Sequence, residues 1–281
     1  MKTSISLFLS DILPHRKNFI HKIVKSKIFR NKTTDDVFRQ LKAMKLDGFE
    51  LLLPQYFVTT NNDINEIKKL VKQYHFPVLS VHQQIRLITA TKIEEIKRLF
   101  EIAHTLDAKV IVLHINSAKK QIFDKKYVQE LHNLEKRYKI TATFENMEKH
   151  IGSLPYKHRW HEITFCDVIN KTNFHITFDT VHLAHSGGNI VRFFKNNKDR
   201  ISNIHLSDYK HHPLNGSIMP MKYKHMPLGD GKLPIDNFLA LLQEEKYKGL
   251  VTLEIDADLH GAERSTAILN KFAKNSVHIS L

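Results

Sequence analysis

Short runs rich in Val, Ile, Leu and Phe recur along the chain, each flanked by turn residues, and such runs read as strands. They fall at 4–10 (SISLFLS), 48–54 (GFELLLP), 78–83 (VLSVHQ) and 109–116 (KVIVLHIN). Four more follow at 141–147 (TATFENM), 175–181 (HITFDTV), 202–208 (SNIHLSD) and 250–256 (LVTLEID). Between the runs the apolar spacing changes to that of an amphipathic helix. Residues 33–46 open on a Thr cap with an acidic first turn. Residues 62–74 place Ile64, Ile67, Leu70 and Val71 on one face, and 92–106 repeat Ile93, Ile96, Phe100 and Ala103. Helical patterns continue through KYVQELHNLEKRY, HEITFCDVINK, NIVRFFKNN, 235–247 and the closing ERSTAILNKFAKN.

Most strand starts lie about 30 residues apart, the length of one strand–helix unit. The strands read mostly as apolar runs, which suits strands covered on both sides in a parallel sheet. Eight such units in 281 residues predict an α/β fold with a single (β/α)8 barrel spanning 1–281 as one domain. A doubly wound sheet is the alternative. If it bound a dinucleotide it would bring a glycine-rich first turn, and none of the nine glycines forms one. Two connections are long. Residues 11–32 carry His15, Arg16, Lys17, Lys22, Lys25, Lys27, Arg30 and Lys32, and residues 209–233 carry His211, His212, His225 and GDG. Both leave strand C-termini, the active-site face of a barrel.

The strand ends carry the chemistry. His82 closes the third strand, His114 the fourth, Glu145 the fifth and Asp179 the sixth, with His182 three residues on. His205 and Asp208 close the seventh and Glu254 the eighth. A lone histidine of this kind is ordinarily a satisfied core residue, and a lone strand-end acid caps the next helix. Six successive strands ending in imidazole or carboxylate resist that explanation. Unpaired buried carboxylates cost several kcal/mol each, and a divalent cation removes the cost. With no thiolate in the set, Mn2+, Zn2+, Mg2+ and Co2+ all suit it. Glu145, Asp179, His205 and Glu254, three carboxylates and one imidazole, lean to a harder ion. The surplus histidines 82, 114, 182 and 225 lean to zinc if they form a second site.

Composition narrows the classes. Hydrophobic residues make up 42% and charged residues 26%, which excludes a disordered or collagen-like chain. The one cysteine, Cys166, excludes an internal disulfide and a thiolate zinc site and agrees with a reducing cytoplasm. No run reaches the roughly 18 apolar residues of a membrane span, and the N-terminus lacks the cleavage pattern of a signal peptide. The net charge is +14, which favours acidic partners. It is built from 33 Lys and 10 Arg, and Arg is the residue suited to phosphate clamps and base reading. Nucleic acid is therefore the lesser expectation. Oligomeric state is left open.

The ordered segments FENM (144–147), FDTVH (178–182), IHLSD (204–208), HMPLGDG (225–231) and TLEID (252–256) resemble the xylose isomerase-like TIM-barrel superfamily. That group includes sugar-phosphate isomerases and epimerases and the type IV apurinic-site endonucleases. The resemblance covers the second half of the chain; the first half matches in strand pattern, His82 and His114. It implies a divalent-metal-dependent sugar or sugar-phosphate isomerase or epimerase working by proton transfer through an enediolate, with a small-molecule sugar as partner. The metal would be held by Glu145, Asp179, His205 and Glu254. Glu145 and Glu254 would double as the acid–base pair, and His182 and Lys210 would contact substrate. The endonucleases, by resemblance, imply three zinc ions on His82, His114, Glu145, Asp179, His182, His205, His225 and Glu254. Their further Asp ligand falls on Tyr223 here, and their small-residue motif is absent from the first strand. Both departures weigh against DNA repair.

Overall fold

In the computed structural model the described residues are 1–13, 27–53, 59–83, 92–114, 124–147, 162–210 and 225–274. Eight parallel strands close into a barrel in chain order. They are β1 (Lys2–Phe8), β2 (Gly48–Leu53), β3 (Val78–Gln83), β4 (Val110–His114), β5 (Thr141–Glu145), β6 (His175–Asp179), β7 (Ile201–Leu206) and β8 (Leu250–Leu253). β8 returns to β1 through the Lys2↔Leu250 to Ile5↔Leu253 register, so no sheet edge remains.

The helices are α1 (Leu9–Ile12), α2 (Thr34–Ala43), α3 (Asn61–Tyr74), α4 (Ile93–Thr105) and α5 (Lys125–Tyr138). They continue as α6 (Glu162–Thr172), α7 (Thr180–His185), α8 (Ile190–Asn197), α9 (Ile235–Glu244) and α10 (Leu259–Lys274). Their starts are set by side chains: Thr33 and Asp36 form a capping box on α2, and Thr60 and Asp63 do so on α3. No helix among the described residues is long and apolar enough to cross a membrane.

The first strand is shorter at its end than the sequence suggests. Residues 9–12 turn into α1, because Asp11 accepts the Phe8 N–H at 3.0 Å and caps a helical turn. β3 spans the predicted 78–83, but the remaining strands stop short of their predicted ends; Glu254, for example, lies one residue beyond β8. The strands are also less uniformly apolar than they read. One face carries Phe49, Leu51, Val81, Ile111, Leu113, Phe144, Ile176, Phe178, Ile204 and Leu206, all buried in the main core. The alternate positions point into the barrel and are largely polar. Ser4 meets Thr252 at 2.8 Å, Thr143 meets Thr177 at 2.6 Å, and Thr252 donates to Asn203 at 2.9 Å. A small apolar cluster of Val110, Val112 and Leu250, with Leu79 against it, stands apart from the main core.

Candidate metal centre

Period-two alternation delivers a polar residue to the inner face at or just beyond the ends of β3 to β8, and closure brings those ends to one mouth. Glu145, at the end of β5, is the hub. Its Oε1 lies 2.9 Å from His205 Nδ1. Its Oε2 lies 3.0 Å from His114 Nε2 and 3.5 Å from His82 Nε2. Glu254 Oε2 approaches the same His205 Nδ1 at 2.8 Å. Four overlapping groups have ligand atoms close enough to share an ion. They are Glu145–Asp179–His205–Glu254, His82–His114–Glu145, Asp179–His182–His225 and Glu50–His82–His205.

Asp179 is placed by its own backbone as well as by β6. Its Oδ1 accepts the His182 N–H at 2.6 Å and caps α7, while Asn146 takes up the Asp179 backbone on both sides, at 2.8 and 2.9 Å. The expected cap and the expected ligand are therefore the same residue: one oxygen starts the helix and Oδ2 is left over. The histidines are oriented in a similar way. His182 Nδ1 donates to the Asn146 carbonyl at 3.1 Å, and His225 Nδ1 donates to the Glu254 carbonyl at 3.2 Å. These bonds leave Nε2 of each ring with its lone pair.

Asp208 plays a different part from the one its strand-end position suggests. It is 1% exposed but belongs to none of the four groups. It accepts the backbone N–H of Tyr209, Gly229, Gly231 and Leu233 at 2.7–3.1 Å. Gly231 is required there, since a Cβ would sit 2.2 Å from Asp208 Oδ1. The Asp208–Met226 bridge then holds His225 over the mouth in a left-handed conformation, φ 47°, which a non-glycine residue adopts at some cost. Lys210 is exposed and makes no ion pair among the described residues. Tyr223, Trp160 and most of the basic 11–32 connection lie outside the described residues.

Glu50 is the site residue that the strand-end reading passes over. It lies within β2 rather than at its end, and is fully buried. The pairing shifts between Phe49 and Glu50; such an irregularity re-aims a side chain and here sets Glu50 opposite Ser80. A lone Glu inside the apolar GFELLLP run was the signal available.

Charge follows this geometry. Burial works against ionised Glu50, but the rings of His205 and His82 outweigh it and hold the carboxylate well below its usual range. Burial likewise opposes ionisation of Glu145 and Glu254. His205, with further help from the other histidines, keeps Glu145 well below normal and Glu254 at about 2. Burial also opposes the charged form of His82 and His205, and the surrounding carboxylates overcome it. His82 rises to about 10 and His205 well above normal. Burial lowers His114. Asp179 goes the other way. Burial, with Glu254 and Glu145 nearby, pushes it up to about 8 against the pull of His225.

The donor set fits a divalent cation. Glu145 Oε2, Asp179 Oδ2 and Glu254 Oε2 are buried without a well-formed hydrogen bond, in a group whose ligand atoms lie within 4.8 Å of one another. Buried carboxylate oxygens are rarely left so, and a cation satisfies all three at once.

Known proteins frame this geometry. A D-tagatose 3-epimerase-like protein superposes with TM-score 0.69 at 17% identity, covering 99% of this chain and 98% of its own. The 3-keto-D-glucoside 4-epimerase of E. coli gives 0.65 at 19%, covering 96% and 99%. The IOLI protein, solved with a zinc atom, gives 0.62 at 16%, covering 99% and 98%. Residues 38–272 match the family described as xylose isomerase-like TIM barrel, and with most of its length inside that match the chain belongs to this family.

Proposed function

We propose that the protein is a divalent-metal-dependent isomerase or epimerase of a sugar or sugar phosphate, with Glu145, Asp179, His205 and Glu254 holding the ion. The carrying observation is the gathering of His205 and three buried carboxylates, each with one oxygen lacking a well-formed hydrogen bond, within 4.8 Å at the barrel mouth. Two similar folds are named as epimerases or epimerase-like, and a third was solved with zinc, which supports the reading. Mn2+ or Zn2+ suits the mixed oxygen and nitrogen set, with Mg2+ or Co2+ as alternatives.

Held by these four residues, a divalent ion would supply polarisation of a substrate carbonyl and stabilisation of the charge developing beside it. The chain supplies the rest. Glu145 and Glu254 reach the site from β5 and from beyond β8, and both are held ionised by His205. One carboxylate would remove the proton α to the carbonyl, and the other, after taking a proton from solvent or a substrate hydroxyl, would deliver it to the enediolate. His182, fixed by Asn146 and 8% exposed, is placed to accept a hydrogen bond from a substrate hydroxyl through Nε2. Lys210, exposed beyond β7, is assigned to the outer part of the substrate.

The test is exchange of solvent deuterium into a panel of ketoses and ketose phosphates. The wild-type chain should exchange, and Glu145→Gln should lower the rate at least about 100-fold, the scale of a lost general base. Nicking of abasic DNA without any exchange would instead support phosphodiester chemistry. That second reading has one observation in its favour: the His82–His114–Glu145 and Asp179–His182–His225 groups flank the first set. It predicts two or three zinc ions per chain, and binding to DNA that weakens steeply with salt.

A further inference from the structure

Glu50 is fully buried within β2, below the strand ends that carry the other carboxylates, and the proton transfer described above gives it no task. We propose that Glu50 is a positioning carboxylate that fixes which nitrogen of His82 and of His205 faces the metal. The inference rests on the metal-site reading but not on the identity of the substrate.

The geometry is two-sided. His205 Nε2 bonds Glu50 Oε2 at 3.3 Å and lies 3.1 Å from Oε1, and His82 Nδ1 lies 3.3 Å from Oε1, close enough to pair without a well-formed hydrogen bond. These are the inner nitrogens of both rings. The outer nitrogens face the ligand groups. His205 Nδ1 lies 2.9 Å from Glu145 Oε1 and 2.8 Å from Glu254 Oε2. His82 Nε2 lies 3.1 Å from His114 Nε2 and 3.5 Å from Glu145 Oε2. A carboxylate that takes the inner N–H of each ring leaves each outer nitrogen with its lone pair, the form that binds metal. One side chain thus orients a ligand of the Glu145–Asp179–His205–Glu254 group and a ligand of the His82–His114–Glu145 group.

Glu50 is itself held from below. Ser80 donates to its Oε2 at 2.7 Å and Asn203 at 3.3 Å. Asn203 is in turn fixed by Thr252, which bonds Ser4. The polar interior of the barrel is therefore the support for the site. With Oε2 engaged in this way, Oε1 is the oxygen left to face the inner nitrogens of both rings. The competing arrangement, an ion held by Glu50 with the inner nitrogens of His82 and His205, needs the opposite tautomers and is distinguishable.

The first measurement uses the wild-type chain loaded with Zn2+ or 113Cd2+ and labelled with 15N-histidine. His82→Gln and His205→Gln serve only to assign the signals. The expected spectrum has metal on His205 Nδ1 and His82 Nε2, with the protons on His205 Nε2 and His82 Nδ1. Metal on His205 Nε2 or His82 Nδ1 overturns the proposal. The second measurement is metal affinity by calorimetry on Glu50→Gln, with Ser80→Ala as a milder variant that touches neither ring. Glu50→Gln should weaken binding about 10–100-fold with an unchanged far-UV circular dichroism spectrum, and Ser80→Ala should shift affinity less in the same direction. Unchanged affinity in Glu50→Gln overturns the proposal, and if that variant does not fold the wild-type spectrum decides. No uptake of any divalent ion overturns it together with the metal reading. A metal-loaded chain with the expected spectrum but inert toward every ketose overturns only the sugar chemistry.

Discussion

Asp208 and Asp179 show how much depends on the second oxygen of a carboxylate. Asp208 spends both of its oxygens on backbone N–H groups, so it shapes the loop that carries His225 and has nothing left for an ion. Asp179 spends one and keeps one. In sequence the two look alike, each an acid at the end of an apolar run. Asp208→Asn keeps the size but replaces one acceptor with a donor facing backbone N–H. It should cost about 1–3 kcal/mol, the scale of a buried group left unsatisfied, measured by urea denaturation. The substitution leaves Glu145, Asp179, His205 and Glu254 untouched, so binding at that group should survive and any binding at Asp179–His182–His225 should weaken.

At the scale of elements, the barrel is held by what its strands show outward. Phe178 on β6 packs on Phe193 of α8, with ring centroids 4.6 Å apart, and meets Phe238 of α9 edge-on at 5.9 Å. This aromatic group ties two helices to the strand that ends in Asp179. Phe178→Ala should destabilise the fold by about 3–5 kcal/mol through lost burial and the cavity left behind, read from a chemical denaturation midpoint. The inward face contributes differently. Its hydroxyl and amide contacts keep polar groups satisfied and make the barrel interior a platform for the site. The helices were legible in the chain because their apolar spacing persists over several turns. α4 buries Ile96, Phe100 and Ala103 as expected, leaves Ile93 only partly buried, and adds Leu99 and Ile102. The strand ends were less legible, since the apolar run continues into the loop while the pairing stops.

For the whole molecule, the proposed metal would compete with protons for one cluster. Without metal, Asp179 is protonated below about pH 8 and His82 below about pH 10. His205 also holds its proton through neutrality. Uptake of one ion by the Glu145–Asp179–His205–Glu254 group at pH 7 should therefore release about two protons, because ligands must be deprotonated. Calorimetry in buffers of different ionisation enthalpy reads this number. The sign for folding follows from the same shifts. Asp179 is raised above its unfolded value of about 3.9 and His82 above about 6.5. The stability they contribute is complete below those values and is lost as pH rises toward their folded values. The depressed carboxylates Glu50, Glu145 and Glu254 contribute the opposite slope, but only in the acid range. The metal-free chain should therefore lose thermal stability between about pH 4 and pH 10, most steeply between about pH 6.5 and pH 8, where the two ranges overlap. Added Mn2+ or Zn2+ should restore it, more strongly as pH rises.

The sequence by itself determined the eight strand–helix units, because apolar periodicity and caps are local. It also carried nearly all the candidate ligands, since the residue at a strand end needs no knowledge of its neighbours to be recognised as imidazole or carboxylate. Only the tertiary structure decided how those residues divide the work. Closure of the barrel set Glu145 between His205, His114 and His82, turned Asp208 away to its loop, and brought Glu50 from the middle of an apolar strand to the underside of the site. Each of these outcomes depends on strand register and on contacts between residues 30 to 155 positions apart, distances at which the pattern of a single strand says nothing about what its inward side chains will meet.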